Sequence, residues 1–148
     1  MRAPFQILAI PFTRLPQPMF CVFQRADNRQ WQFVAGGGED DETPEVAAAR
    51  EVFEETHVEA TGLLKLDSVS SVPASIISDN CRTHWPKDTY VIPEYSFAFE
   101  CTGEVCISSE HTSFEWLDYD SAMERLTWDS NQTALYELNC RLQDWSAR

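Results

Sequence analysis

Apolar and polar positions change their rhythm along this chain, and the changes divide it into elements. Phe5 to Phe12 and Met19 to Phe23 are short, apolar, β-prone runs joined by a proline-containing turn, which predicts two strands. Trp31 to Ala35 reads as a third short strand after the polar turn Asp27-Asn28-Arg29, so the chain opens as a β-meander. After Gly36-Gly37-Gly38 and a group of acids, Thr43 suits an N-cap and Pro44 the first helical position, and Val46 to Thr56 has helical composition. Further on, Gly62 to Val72 reads as strand and Pro73 to Pro93 as a long irregular stretch. Tyr95 to Cys101 and Val105 to Ile107 read as a hairpin around Thr102-Gly103-Glu104, and Phe114 to Leu117 as a short buried strand. Two helices close the chain, Ser121 to Leu126 and Ser130 to Asp144, the second with Leu135, Leu138 and Leu142 at helical spacing.

This is an α/β pattern without the regular βαβ alternation of a parallel Rossmann sheet. No repeat, low-complexity tract or linker divides it. At 148 residues it is expected to form one domain spanning 1–148. Apolar residues at 43% and charged residues at 24% are globular proportions.

Charge narrows the partners. Twenty-four acids against eleven Lys and Arg give a formal charge of −13, which repels a polyphosphate backbone and argues against long nucleic acid. Residues 1–12 carry one Arg, two prolines and no small-residue cleavage site, so they read as a strand rather than a secretory signal. No run reaches the roughly 18 apolar residues of a membrane helix, and a cytoplasmic protein with no membrane partner is expected. The five cysteines, at 21, 81, 101, 106 and 140, contain no C-x-x-C pair and read as reduced core thiols. Cys81 with His84, or Cys101 and Cys106 with His111, match no common zinc spacing.

The candidate chemistry lies on the first helix. On a wheel of about 100° per residue, Glu51, Glu54 and Glu55 share one face, while Val46, Ala49 and Phe53 lie opposite. Like charges at i, i+3 and i+4 repel, and a divalent cation among them would remove the conflict. Ala47 and Ala48 flank this face, where small side chains leave space for a loop, a metal and a phosphate. Arg50 borders it and can pair with Glu54 or reach back to Glu42. Gly36, Gly37 and Gly38 permit positive φ and close backbone approach, and can offer backbone groups to a metal or phosphate. An isolated E-x-x-E-E would be no more than a solvated helix face; the frame around it carries the signal.

That frame resembles the Nudix box, G-x5-E-x7-R-E-U-x-E-E-x-G-U with U aliphatic. Gly36, Glu42, Arg50, Glu51, Val52, Glu54, Glu55 and Val58 fill it in register, and His57 stands where the family has its last glycine. A non-glycine residue there implies an altered C-cap; histidine tolerates the left-handed region better than most residues, and its charge suits a helix C-terminus. Looser similarity to the dihydroneopterin triphosphate pyrophosphatase branch lies in Trp31-Gln32, in Ser109-Glu110-His111 before Phe114-Glu115-Trp116-Leu117-Asp118, and in Trp128-Asp129-Ser130-Asn131.

The resemblance implies a Nudix α/β/α sandwich around a mixed β-sheet and a Mg²⁺-dependent pyrophosphohydrolase, with Mn²⁺ as a substitute. Glu54 and Glu55 would ligate metal, Glu51 would ligate metal or act as base, and the backbone of Gly36 would add a ligand. Glu110 is the second candidate base, Arg50 a positioning residue and Glu42 a support for the loop. Arg25, Trp31, Arg82 and Trp85 are the candidate substrate contacts, offering cations and aromatic faces to a base or pterin ring and a triphosphate. The expected partner is a nucleoside-triphosphate-like small molecule, with dihydroneopterin triphosphate one candidate and oxidised dNTPs, ADP-ribose or dinucleoside polyphosphates others. A nucleotide-sensing module without turnover is the alternative function. The chain is expected to be a monomer or a homodimer.

Overall fold

The computed structural model describes residues 1–60, 62–101 and 111–147. Its strands are β1 (Arg2–Thr13), β2 (Met19–Arg25), β3 (Trp31–Gln32), β4 (Val34–Glu39), β5 (Leu64–Pro73), β6 (Val91–Glu100) and β7 (His111–Leu117). The helices are α1 (Pro44–Thr56), α2 (Asp79–Arg82), α3 (Tyr119–Arg125) and α4 (Asp129–Ala147). One seven-stranded sheet runs β3-β2-β1-β6-β5, with β4 on β1 and β7 on β2. β1 and β6 are parallel and the other pairs antiparallel, which makes the sheet mixed.

The period of two in the apolar runs builds both faces. Leu8, Ile10 and Phe12 of β1, Phe20 and Val22 of β2 and Ala98 of β6 point to α3 and α4, where Ala122, Leu126, Leu135, Leu138 and Leu142 meet them. The intervening residues Ile7, Ala9, Cys21, Phe23, Phe97 and Phe99 point the other way, onto Ala47, Ala48 and Val52 of α1. Helices on both faces of one sheet give the α/β/α sandwich that the resemblance implies.

The expected third strand is divided in two. β1 and β2 pair only at Phe12–Phe20 and Thr13–Met19 and then diverge. β3 fills the gap against β2, and β4 against β1. At the join the Phe33 N–H donates to Asn131 Oδ1 at 2.8 Å, so the buried amide is satisfied by α4.

Other boundaries differ from expectation. Pro73 to Pro93 is not irregular throughout: it holds a 3₁₀ turn (Ala74–Ile76), α2 and the first residues of β6. Phe114 and Leu117 are half-buried rather than buried. Cys21 and Cys101 are core thiols, but Cys81 is exposed and Cys140 only partly covered. The expected strand Val105 to Ile107 lies outside the described residues.

Candidate active site

α1 begins as its sequence requires. The Thr43 hydroxyl accepts from the Val46 N–H at 3.3 Å, and Pro44 occupies the first turn. It ends at His57, which takes φ 60°, ψ 20° and donates its N–H to the Phe53 carbonyl at 2.9 Å. The departure from the glycine of the Nudix box therefore keeps the left-handed cap.

The face that carries the larger apolar residues is not the one the helix buries. Val46 and Phe53 are 54% and 49% exposed, whereas Ala47, Ala48, Val52 and Glu55 are buried. Ala47 and Ala48 do not leave room for a ligand; they let the helix lie close against the sheet. The carboxylate face is thus turned inward, toward β4. Glu55 is 2% exposed and its Oε2 accepts from the Ala35 N–H at 3.2 Å. Glu51 is the next outward, and the Glu54 side chain reaches 55% exposure. The three span the range from core to solvent.

Close approach also explains the glycines. They lie within β4 rather than in a loop, and none of the three has positive φ. A Cβ on Gly36 would stand 2.1 Å from Glu51 Cδ and 2.4 Å from both carboxylate oxygens. A Cβ on Gly37 would overlap the Arg2 guanidinium, and one on Gly38 the Phe5 ring. Each absent methyl is occupied by a neighbour's side chain.

Arg50 locks the frame. Its Nε and Nη2 donate to both Glu42 oxygens at 2.8 and 2.9 Å, Nη2 also to the Gly37 carbonyl at 2.9 Å, and Nη1 to Glu51 at 3.0 Å and Glu54 at 3.2 Å. Glu42 in turn accepts from the Glu39 N–H at 2.8 Å. Hydrogen bonding to Glu42, with the charge of Glu51 behind it, raises Arg50 above the usual guanidinium range, and the same bonds lower Glu42. Both alternatives drawn from the sequence, Glu42 and Glu54, are realised together.

The donor set suits a hard divalent cation: three carboxylates and the Gly36 carbonyl, all oxygen. The Gly36 cradle fits the same purpose, since it holds the Glu51 carboxylate against the β4 backbone. Among the described residues no three His, Cys, Asp or Glu side chains form a ready-made cage. A cation here would draw further ligands from backbone, water or phosphate, as Mg²⁺ commonly does. Glu110 lies outside the described residues.

Beside this frame is a cavity of about 740 Å³, within the usual range for small-molecule sites. Gly36 and Arg25 line it, Arg25 with its guanidinium on both oxygens of Asp27 at 2.9 Å. The other expected contacts are engaged elsewhere. Trp85 packs with Ala74 and Ile92, and its Nε1 donates to the Arg2 carbonyl at 2.7 Å. Arg82 donates to the Ile77 carbonyl at 2.8 Å and pairs with Asp79. Trp31 packs on the α4-side core under the Arg125 guanidinium, 4.7 Å from its ring centroid. Aromatic and basic composition found these residues, but burial and pairing decide their place.

The cavity instead presents Arg2, Gln6 and Glu94, which motif reasoning passed over, and Trp128, which it quoted as part of a motif but gave no role. Arg2 Nη2 donates to Gln6 Oε1 at 3.1 Å, and Gln6 Nε2 donates to Glu94 Oε2 at 3.0 Å. Burial lowers the Arg2 guanidinium and raises the Glu94 carboxyl, the latter opposed by Ser130 and Gln6. One signal was available: Glu94 holds an inward position of the alternation that continues through Ser96 and Ala98.

Comparison with known proteins agrees with this geometry. A NUDIX domain family matches residues 8–138. A solved structure described as a NUDIX hydrolase from Listeria monocytogenes is 43% identical, with TM-score 0.79 and 96% of each chain covered. A MutT-like protein from Streptomyces ambofaciens is 34% identical over 71% of this chain and 58% of its own length. The dihydroneopterin triphosphate diphosphatase of Haemophilus influenzae is 27% identical over 91% of this chain and 88% of its own. The chain spans only 32% to 58% of the length of three curated relatives matched at 30% to 35% identity. With the family matched over most of its length and the box residues drawn into one bonded frame, the chain belongs to the NUDIX domain family.

Proposed function

We propose that this chain hydrolyses a phosphoanhydride bond in a nucleoside-triphosphate-like small molecule, using Mg²⁺ or, in its place, Mn²⁺. Members of its family are pyrophosphohydrolases acting on acid anhydrides. The observation that carries the proposal is the contact between Gly36 and Glu51. It sets a carboxylate, clamped by Arg50, against a strand whose same residue lines a ligand-sized cavity.

A divalent cation bound by Glu51, Glu54 and Glu55 would acidify the attacking water and offset charge on the phosphates. The remaining work falls to the chain. Glu51 is one candidate to accept the water's proton and Glu110 the other. Arg50 fixes the aim of Glu51 and Glu54, and Glu42 fixes Arg50. Arg2 offers the cavity a guanidinium suited to phosphate oxygens, Arg25 one that a phosphate would have to share with Asp27, and Trp128 gives an aromatic surface for a ring. The H. influenzae relative's name makes dihydroneopterin triphosphate the first substrate to try.

The test is a panel of dihydroneopterin triphosphate, dNTPs, oxidised purine nucleotides, ADP-ribose and dinucleoside polyphosphates with Mg²⁺, the products separated. Turnover of at least one, lost on Glu54→Gln, is expected. Silence across the panel, with a stable complex of uncleaved nucleotide, would replace the enzyme by a sensing module.

A further inference from the structure

Gly37, Gln6, Glu94 and Ser70 stand side by side across four strands, β4, β1, β6 and β5. Gln6, Glu94 and Ser70 of this row line the cavity. Glu94 is 4% exposed, and its two oxygens differ. Oε2 receives the Gln6 amide, whose orientation is set because Arg2 donates to its other end. Oε1 is buried and receives no hydrogen bond of sound geometry among the described residues; the Ser130 hydroxyl stands near the carboxyl and favours its charge without meeting that oxygen squarely. An acceptor withdrawn from water and left unmet weakens the fold, and such groups persist where a ligand meets them.

A carboxylate oxygen accepts and, when ionised, cannot donate. Its natural counterpart is an N–H. The cavity has room for a bicyclic heterocycle, and Trp128, half exposed, lines it together with Ile76 and Ile77. The polyphosphate end of such a ligand would lie toward Gly36, Arg2 and the carboxylate frame. That places the ring in the part of the cavity where Glu94 and Ser70 stand.

We propose that Glu94 is the specificity-determining residue of this site, and that its Oε1 accepts an N–H from the exocyclic amino group of a bicyclic heterocycle. Gln6 and Arg2 act through it as positioning residues. The assignment rests on the proposed function for its phosphate end only; the heterocycle contact can be measured without catalysis.

Two matched pairs isolate the amino group: guanosine against inosine, and adenosine against purine riboside. Binding of the four nucleosides is measured by calorimetry without metal, and kcat/KM for the four triphosphates with Mg²⁺. In the wild type one pair is expected to show a preference of about tenfold or more for the amino member, since a site built to receive an N–H discriminates against its absence. Glu94→Gln should erase that preference while affinity for the des-amino member stays within about threefold. Its melting midpoint should not fall, because a buried carboxyl is replaced by a neutral amide. Glu94→Asp, which keeps the charge but withdraws the oxygen by one methylene, should also lose the preference and serves if the glutamine variant does not fold. Equal binding within both pairs, or a preference that survives both substitutions, overturns the assignment. Triphosphate cleavage with no amino-group discrimination would sink this proposal and leave the catalytic one standing. An amino preference that depends on Glu94, without cleavage, would do the reverse.

Discussion

Gly36→Ala adds one methyl group and tests the close approach on which the proposed chemistry depends. The backbone there is ordinary strand, so alanine meets no conformational penalty. The new Cβ would stand 2.1 Å from Glu51 Cδ, whereas ordinary contact begins at 3.4 Å, so the carboxyl group must retreat by about 1.3 Å. It is the end of a flexible side chain and can do so, but only by leaving Arg50 Nη1, now at 3.0 Å. Loss of one charge-assisted hydrogen bond in a partly buried site should lower stability by about 1–2 kcal/mol. Displacing a catalytic or metal-holding group by about 1 Å can reduce turnover by about 100-fold. The expected result is a folded protein, melting a few degrees lower, with kcat down about 100-fold on whichever panel substrate the wild type cleaves. The assay pairs thermal unfolding with initial rates at saturating Mg²⁺. A Gly36→Ala variant retaining kcat within about threefold would show that Glu51 needs no fixed position.

The inward turn of α1 predicts opposite tolerances on its two sides. Ala48→Leu should overpack the sheet contact and lower stability by about 1–3 kcal/mol, whereas Phe53→Ser should change it by less than about 1 kcal/mol; chemical denaturation separates the two. His57→Gly relieves a left-handed non-glycine cap and should raise stability by about 1 kcal/mol, seen as a melting point about 2–4 °C higher. Glu42 has a lowered pKa, so its ion pair contributes stability above the ordinary value of 4.5 and loses it as pH falls through the lower folded value. Melting points taken from about pH 6 down to about pH 3 should therefore fall less steeply in Glu42→Gln than in the wild type; parallel curves would deny the linkage.

Much of this fold could be read from the chain because local signals agreed with one another. Thr43-Pro44 placed the start of α1, and alternating apolar residues in β1 and β2 gave strands buried on both faces. The box residues were found by spacing, and the structure joins Glu42, Arg50, Glu51 and Glu54 by hydrogen bonds. The failures share a cause. A helical wheel separates faces but does not say which one is buried; Val46 and Phe53, the larger apolar residues, stay exposed because the sheet lies so near that alanine fits better. Glycine's low strand propensity hid β4, whose geometry is set by Arg2, Phe5 and Glu51 arriving from elsewhere. Trp85 looked available because no sequence pattern reports its long-range partner, the Arg2 carbonyl, and Arg82 because its partners, the Ile77 carbonyl and Asp79, lie in the stretch read as irregular.

β4 separates two environments with backbone alone. Along Gly36, Gly37 and Gly38 the vacant Cβ positions are taken alternately by Glu51, Arg2 and Phe5, so the strand presents the carboxylate helix on one side and the Arg2–Gln6–Glu94 relay on the other. Nothing thicker than a peptide plane stands between them. The partition allows each side to be altered by its own substitutions: a new preference for the ring end of a ligand need not disturb the carboxylates. The glycines themselves have no such freedom, because any side chain added there intrudes on one environment or the other.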